Sequence, residues 1–80
     1  MDHINNRLVA CFKTVFPDLQ EAQIRGITQA AEPTWDSVAA ITLANVIEDE
    51  FQIEMDLDLL PELDSFDRIL VYLQDKVSTP

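Results

Sequence analysis

The sequence predicts an all-α domain, a bundle of three long helices and one short one. Two observations carry this. Apolar residues recur at spacings of three and four along most of the chain, the repeat of one helical face. No stretch alternates apolar and polar residues long enough to pair as strands. Eighty residues, 48% of them hydrophobic, make a single domain, 1–80, with no room for a second core.

The first helix is predicted over about 3–16. Asp2 or Asn5 can cap it, and Ile4, Leu8, Phe12 and Val15 form its stripe, widened by Cys11 and Phe16. Pro17 ends it, because the proline ring disfavours helical geometry at Phe16. Residues 17–36 form a long connection anchored by Leu19, Ile24 and Ile27, and it holds the only glycine, Gly26. Its length predicts a short helical turn around 21–27 and function close by.

A second helix is predicted over about 37–51, with Val38, Ile41, Leu43, Val46, Ile47 and Phe51 as its apolar set. Its first half is almost uncharged and its end, Glu48-Asp49-Glu50, is all charge. An acidic segment follows, with a short helix at about 58–62 beside Pro61. The last helix, about 65–77, uses Phe66, Ile69, Leu70, Leu73 and Val77. Two Asp-Ser pairs, Asp36-Ser37 and Asp64-Ser65, stand at helix starts, where either serine reads as a cap.

Charge is unevenly placed along the chain, whose net charge is −10. Residues 26–67 carry eleven acids and no Lys or Arg. Such a surface repels nucleic acid and anionic membrane and favours partners with basic patches. A single cysteine cannot close an internal disulfide, which suits a reducing cytosol. The Met1-Asp2-His3 start lacks the pattern of a signal peptide, and the apolar run 8–12 is too short to span a bilayer. The expectation is a cytoplasmic monomer with no membrane insertion.

Catalytic machinery is hard to find. Cys11 and His3 are the only residues of their kinds, and the helix separates them by roughly 12 Å. Cys11 therefore reads as core, and one Cys with one His builds no metal site. Asp56-Leu57-Asp58 opens like a calcium loop. However, Leu60, Pro61 and Asp67 fall where that loop needs an oxygen ligand, a glycine and a glutamate. One glycine cannot build a phosphate-cradling loop, and no pair of carboxylates is marked out for acid–base work. The chain reads as a non-enzyme. Ser37 stands apart, because a helix N-terminus after a long loop favours an attached phosphate.

Here the chain resembles the acyl carrier protein family, whose attachment motif is Asp-Ser-Leu at the start of the second helix. Asp36-Ser37-Val38 is followed at family spacing by Ile41, Leu43 and Ile47. Glu48-Asp49-Glu50-Phe51-Gln52-Ile53 then resembles the family's Glu-Glu-Glu-Phe-x-Ile. Leu63, Phe66, Ile69, Tyr72 and Leu73 match apolar positions of its last two helices. The likeness is close over roughly residues 34–77 and looser elsewhere.

The resemblance implies an acyl-carrier-like bundle in which Ser37 bears a 4′-phosphopantetheine arm from coenzyme A. A Mg²⁺-dependent phosphopantetheinyl transferase would attach it, and Asp36 would belong to the surface that enzyme reads. The arm would hold an acyl or aminoacyl group as a thioester and present it to biosynthetic enzymes. Glu48 and Asp49 would meet basic patches on those partners, and Val38 and Ile41 would supply nearby apolar contact or core. Ala40 and Ala44 would leave space for a short acyl chain.

Thr34 stands where the fatty-acid-synthesis carriers usually have glycine, and Ala39 and Thr42 replace acids that contact their enzymes. Trp35 is similar to discrete carriers of specialised pathways such as polyketide or nonribosomal peptide synthesis. The expectation is thus a specialised stand-alone carrier. The alternatives are a housekeeping fatty-acid-synthesis carrier, a degenerate carrier that is not loaded, and an unmodified acidic interaction module.

Overall fold

A computed structural model describes residues 3–77. Helix α1 spans His3–Val15, α2 Glu21–Arg25, α3 Ser37–Phe51 and α4 Phe66–Val77, with a 3-10 helix at Leu57–Glu62 between the last two. The all-α bundle expected from the periodicity is present. Its short elements shift by a residue or two: the turn expected over 21–27 ends at Arg25, and the short helix starts one residue earlier and is 3-10.

Helix α1 buries Leu8, Val9, Cys11 and Phe12 and packs most extensively on α3. The expected cap Asp2 lies outside the described residues, as does the Val77 side chain. Asn5 is not a cap. It sits inside α1, where its Oδ1 accepts from Arg25 Nη1 and ties α2 to the first helix. Gln20 at the head of α2 donates its N–H to the Gln23 side chain at 2.8 Å, and fully buried Ile24 anchors this short helix.

The connection from α2 to α3 is held by the far end of the chain. Gln29 N–H donates to the Asp64 carbonyl at 2.8 Å, and Phe66 N–H donates to the Ile27 carbonyl at 3.1 Å. These bonds frame an isolated antiparallel bridge between Thr28 and Ser65. They place Trp35 in the core, 3% exposed, with its ring 5.5 Å from Phe12 in an edge-on arrangement. Phe16 and Phe66 complete this aromatic cluster around Phe12. Such pairs add about 0.5–1.5 kcal/mol each beyond the area they bury.

Helix α3 turns Leu43, Ala44, Ile47 and Phe51 inward. It ends where Gln52 adopts a left-handed conformation, φ 56° and ψ 47°, a place usually given to glycine. Arg7 closes that end from outside: its Nε pairs with the Glu50 carboxylate at 2.8 Å, and its guanidinium lies 4.4 Å over the Phe51 ring. The last helix is capped by Ser65, whose Oγ accepts the Arg68 N–H at 3.1 Å. Phe66, Ile69 and Leu73 are its buried face.

Candidate functional site

Trp35 fixes the chain on the way into α3, and the next two residues divide the labour there. Asp36 is extended, and its Oδ1 accepts the Ala39 N–H at 2.9 Å. Its carbonyl accepts the Ala40 N–H at 2.9 Å. Asp36, not Ser37, is therefore the cap. Ser37 is the first helical residue, exposed, and its hydroxyl makes no hydrogen bond among the described residues. The reading of both serines as caps is corrected in one case only. The difference follows from position: a residue inside the first turn cannot reach back to cap that turn.

Nor do the N–H groups of Ser37 and Val38 find acceptors among the described residues. They are the positive end of a helix of 15 residues, and they favour an anion. Beside Ser37 lies an open cleft of about 460 Å³ between α3 and the 3-10 helix, walled by Gln29, Ala40, Ile41, Leu60 and Pro61. Behind it, in the core, is a small apolar cavity of about 10 Å³, room for about one water molecule. Ala40 and Leu60 line both. Ala40 and Ala44 both line the cavity, but at this size it is far smaller than the space for a short acyl chain expected there.

Val38 and Ile41 are not core residues. They are 72% and 50% exposed, on the outer face of the turn that presents Ser37. From Ser37 to Ile47 helix α3 carries no charged residue. Thr42 turns its hydroxyl back to the Val38 carbonyl at 3.0 Å. Beyond the Asp36 cap, the surface of α3 that follows Ser37 is accordingly uncharged, and the next acids of this helix begin about 16 Å further along the axis, three turns on.

Those three acids have different fates. Glu48 uses its carboxylate within the fold, accepting the Met55 N–H at 2.7 Å to fix the segment after α3. Glu50 pairs with Arg7. Only Asp49 has a carboxylate with no partner among the described residues, and it is exposed. The last turn of α3 contains no basic residue, so this free charge sits at the negative end of the helix dipole, where it destabilises. Sequence spacing alone does not separate these roles, because all three residues sit in one tripeptide.

Cys11 is buried in the core. Burial pushes its thiol up to about 11, the Glu50 charge adds to this, and Arg7 opposes it. At neutral pH it is a protonated thiol, not a nucleophile. Asp56 caps the 3-10 helix by accepting the Asp58 N–H at 3.0 Å, and among the described residues no cluster of metal-ligating side chains forms. No helix among them is long and apolar enough to cross a membrane.

Sequence reasoning missed Gln29, Leu60 and Pro61 as walls of the cleft. They come from a loop and a 3-10 turn, which carry no periodic signal. Comparison with protein-family models, with curated proteins and with solved structures finds no match.

Proposed function

We propose that this chain is a carrier protein that takes a 4′-phosphopantetheine arm on Ser37. The observation that supports it is the exposed, uncommitted Ser37 hydroxyl at the head of α3, left free because Asp36 does the capping. The residues suit the group: the N–H groups of Ser37 and Val38 and the helix dipole stabilise a phosphodiester there. In the loading step Ser37 Oγ forms a bond to the coenzyme A phosphorus nearest the pantetheine. The bond from that phosphorus to the departing 3′,5′-bisphosphoadenosine breaks, and the serine proton passes to a base of the transferase. When bound, the arm supplies a thiol that holds an acyl or aminoacyl group as a thioester.

The chain itself binds, positions and presents, and the enzymes that meet it supply catalysis. Exposed Val38 and Ile41 form the contact nearest the attachment point, and Asp49 offers its unpaired charge to a basic patch. The neutral stretch between them, with Ala39 and Thr42 in place of acids, favours partners of a specialised pathway over those of general fatty-acid synthesis. Charge pairs at such a surface are worth under about 1 kcal/mol each, so they set encounter and choice more than affinity.

The test is incubation with coenzyme A, Mg²⁺ and a broad-specificity phosphopantetheinyl transferase, followed by intact mass. A gain of one phosphopantetheine in the natural sequence, absent in Ser37→Ala, supports the proposal. A second reading, an unmodified interaction module, draws on the same exposed Val38–Ile41 pair. It gains ground if the protein stays unloaded while a control carrier is loaded.

A further inference from the structure

Apart from Ser37 itself, the open cleft beside it has one polar wall, Gln29; Ala40, Ile41, Leu60 and Pro61 are the others. The backbone of Gln29 is pinned, because its N–H donates to the Asp64 carbonyl at 2.8 Å next to the Thr28–Ser65 bridge. Its carboxamide, by contrast, makes no hydrogen bond among the described residues. A single placed polar group among apolar walls is the usual make-up of a small-ligand site, and about 460 Å³ is an ordinary size for one.

The walls also say what they suit. No charged side chain lines the cleft, although the chain carries a net charge of −10. A basic peptide finds no acid there and an anion finds no base, so the complement is an uncharged chain that bears amides. A group attached at Ser37 starts inside the cleft, because Ser37 lines it. Beyond its phosphate, a phosphopantetheine arm is uncharged, with two secondary amides, a hydroxyl and two methyl groups on one carbon. A carboxamide matches such an amide on both sides, accepting from its N–H and donating to its carbonyl.

We propose that this cleft seats the arm and that the Gln29 carboxamide docks it by pairing with one of its amides. The inference rests on the carrier reading of Ser37. The apolar walls take the methyl groups of the arm. Tethering makes the contact intramolecular, at an effective concentration in the millimolar range. One hydrogen bond and a few apolar contacts then suffice to shift the arm between docked and free. Gln29 thus sets how often the thiol is held against the carrier and how often it is offered to a partner.

In the test, the arm is installed at Ser37 from coenzyme A labelled with heavy nitrogen in both pantetheine amides, and loading is verified by mass. One of these amides is expected to exchange with solvent roughly fivefold more slowly on the protein than in coenzyme A, the factor one net hydrogen bond supplies. The side-chain amide NMR signals of Gln29 should move between unloaded and loaded protein. In Gln29→Ala, which keeps the backbone bond to Asp64, the exchange rate should return to that of coenzyme A with the melting temperature little changed. In the natural sequence, arm amides that exchange as in coenzyme A, or Gln29 signals that stay put, overturn the proposal whether or not Gln29→Ala folds. Slow exchange that persists in folded Gln29→Ala also overturns it. Failure to load at Ser37 overturns the carrier reading, and this proposal falls with it. Normal loading with a freely exchanging arm overturns this proposal alone.

Discussion

The Asp36 carboxylate accepts the Ala39 N–H at 2.9 Å, and that bond frees the serine between them. Asp36→Ala should therefore cost about 1 kcal/mol, as lost caps do. Ser65→Ala should cost a similar amount, because Ser65 Oγ caps α4. Ser37→Ala should stay within about 0.5 kcal/mol of the natural sequence. Urea denaturation of the three variants checks the order. If Ser37→Ala were the costliest, the assignment of the cap to Asp36 would be wrong.

Gln52 terminates α3 with φ at 56°. A side chain in this conformation costs about 1 kcal/mol that glycine avoids. Gln52→Gly loses the exposed bond from Gln52 Nε2 to the Asp49 carbonyl, so the net gain expected is about 0.5 kcal/mol. A raised melting temperature checks it, and a lowered one would mean that the side-chain bond outweighs backbone strain.

Asp49 places an unpaired negative charge at the negative end of α3. Asp49→Asn should raise stability by about 0.3–1 kcal/mol at low salt. Added salt should raise the melting temperature of the natural sequence and shrink the advantage of the variant. A melting temperature independent of salt would show that self-repulsion among the acids of residues 48–67 is small. Glu48 and Glu50, already engaged within the fold, limit the size of that effect.

Most of the fold was legible because α1 and α4 bury residues at spacings of three and four, such as Leu8 with Phe12 and Phe66 with Ile69 and Leu73. Helix α3 was legible in extent but not in facing. It is apolar on both sides, so the pattern could not tell that Leu43 and Ile47 go in while Val38 and Ile41 stay out. At the site, the sequence pointed to Ser37 as the residue of interest. It could not decide between Asp36 and Ser37 as cap, because both are good capping residues and the choice turns on one residue of register. The cleft walls at Gln29 and Leu60 needed the long-range bonds from the Gln29 N–H to Asp64 and from the Phe66 N–H to Ile27, which no local spacing encodes.

Cys11 gives the fold a pH response on the alkaline side. Its thiol is held up to about 11 in the folded chain, above its value in an unfolded one. The unfolded state thus loses its proton first, and stability falls as pH rises from about 8.5, the unfolded value, towards 11. Cys11→Ala should be less stable at neutral pH through lost packing, yet show a shallower alkaline decline. The thiol should also resist an aromatic disulfide reagent until urea unfolds the chain. Rapid labelling of folded protein would contradict its burial.

The central claim is most directly tested by locating a covalent group. After treatment with coenzyme A, Mg²⁺ and a broad-specificity transferase, the protein is cleaved and the peptides are weighed. The account predicts one added phosphopantetheine on the peptide that contains Ser37, unchanged in Ser65→Ala and lost in Ser37→Ala. Modification at Ser65, or none under conditions that load a control carrier, would contradict it.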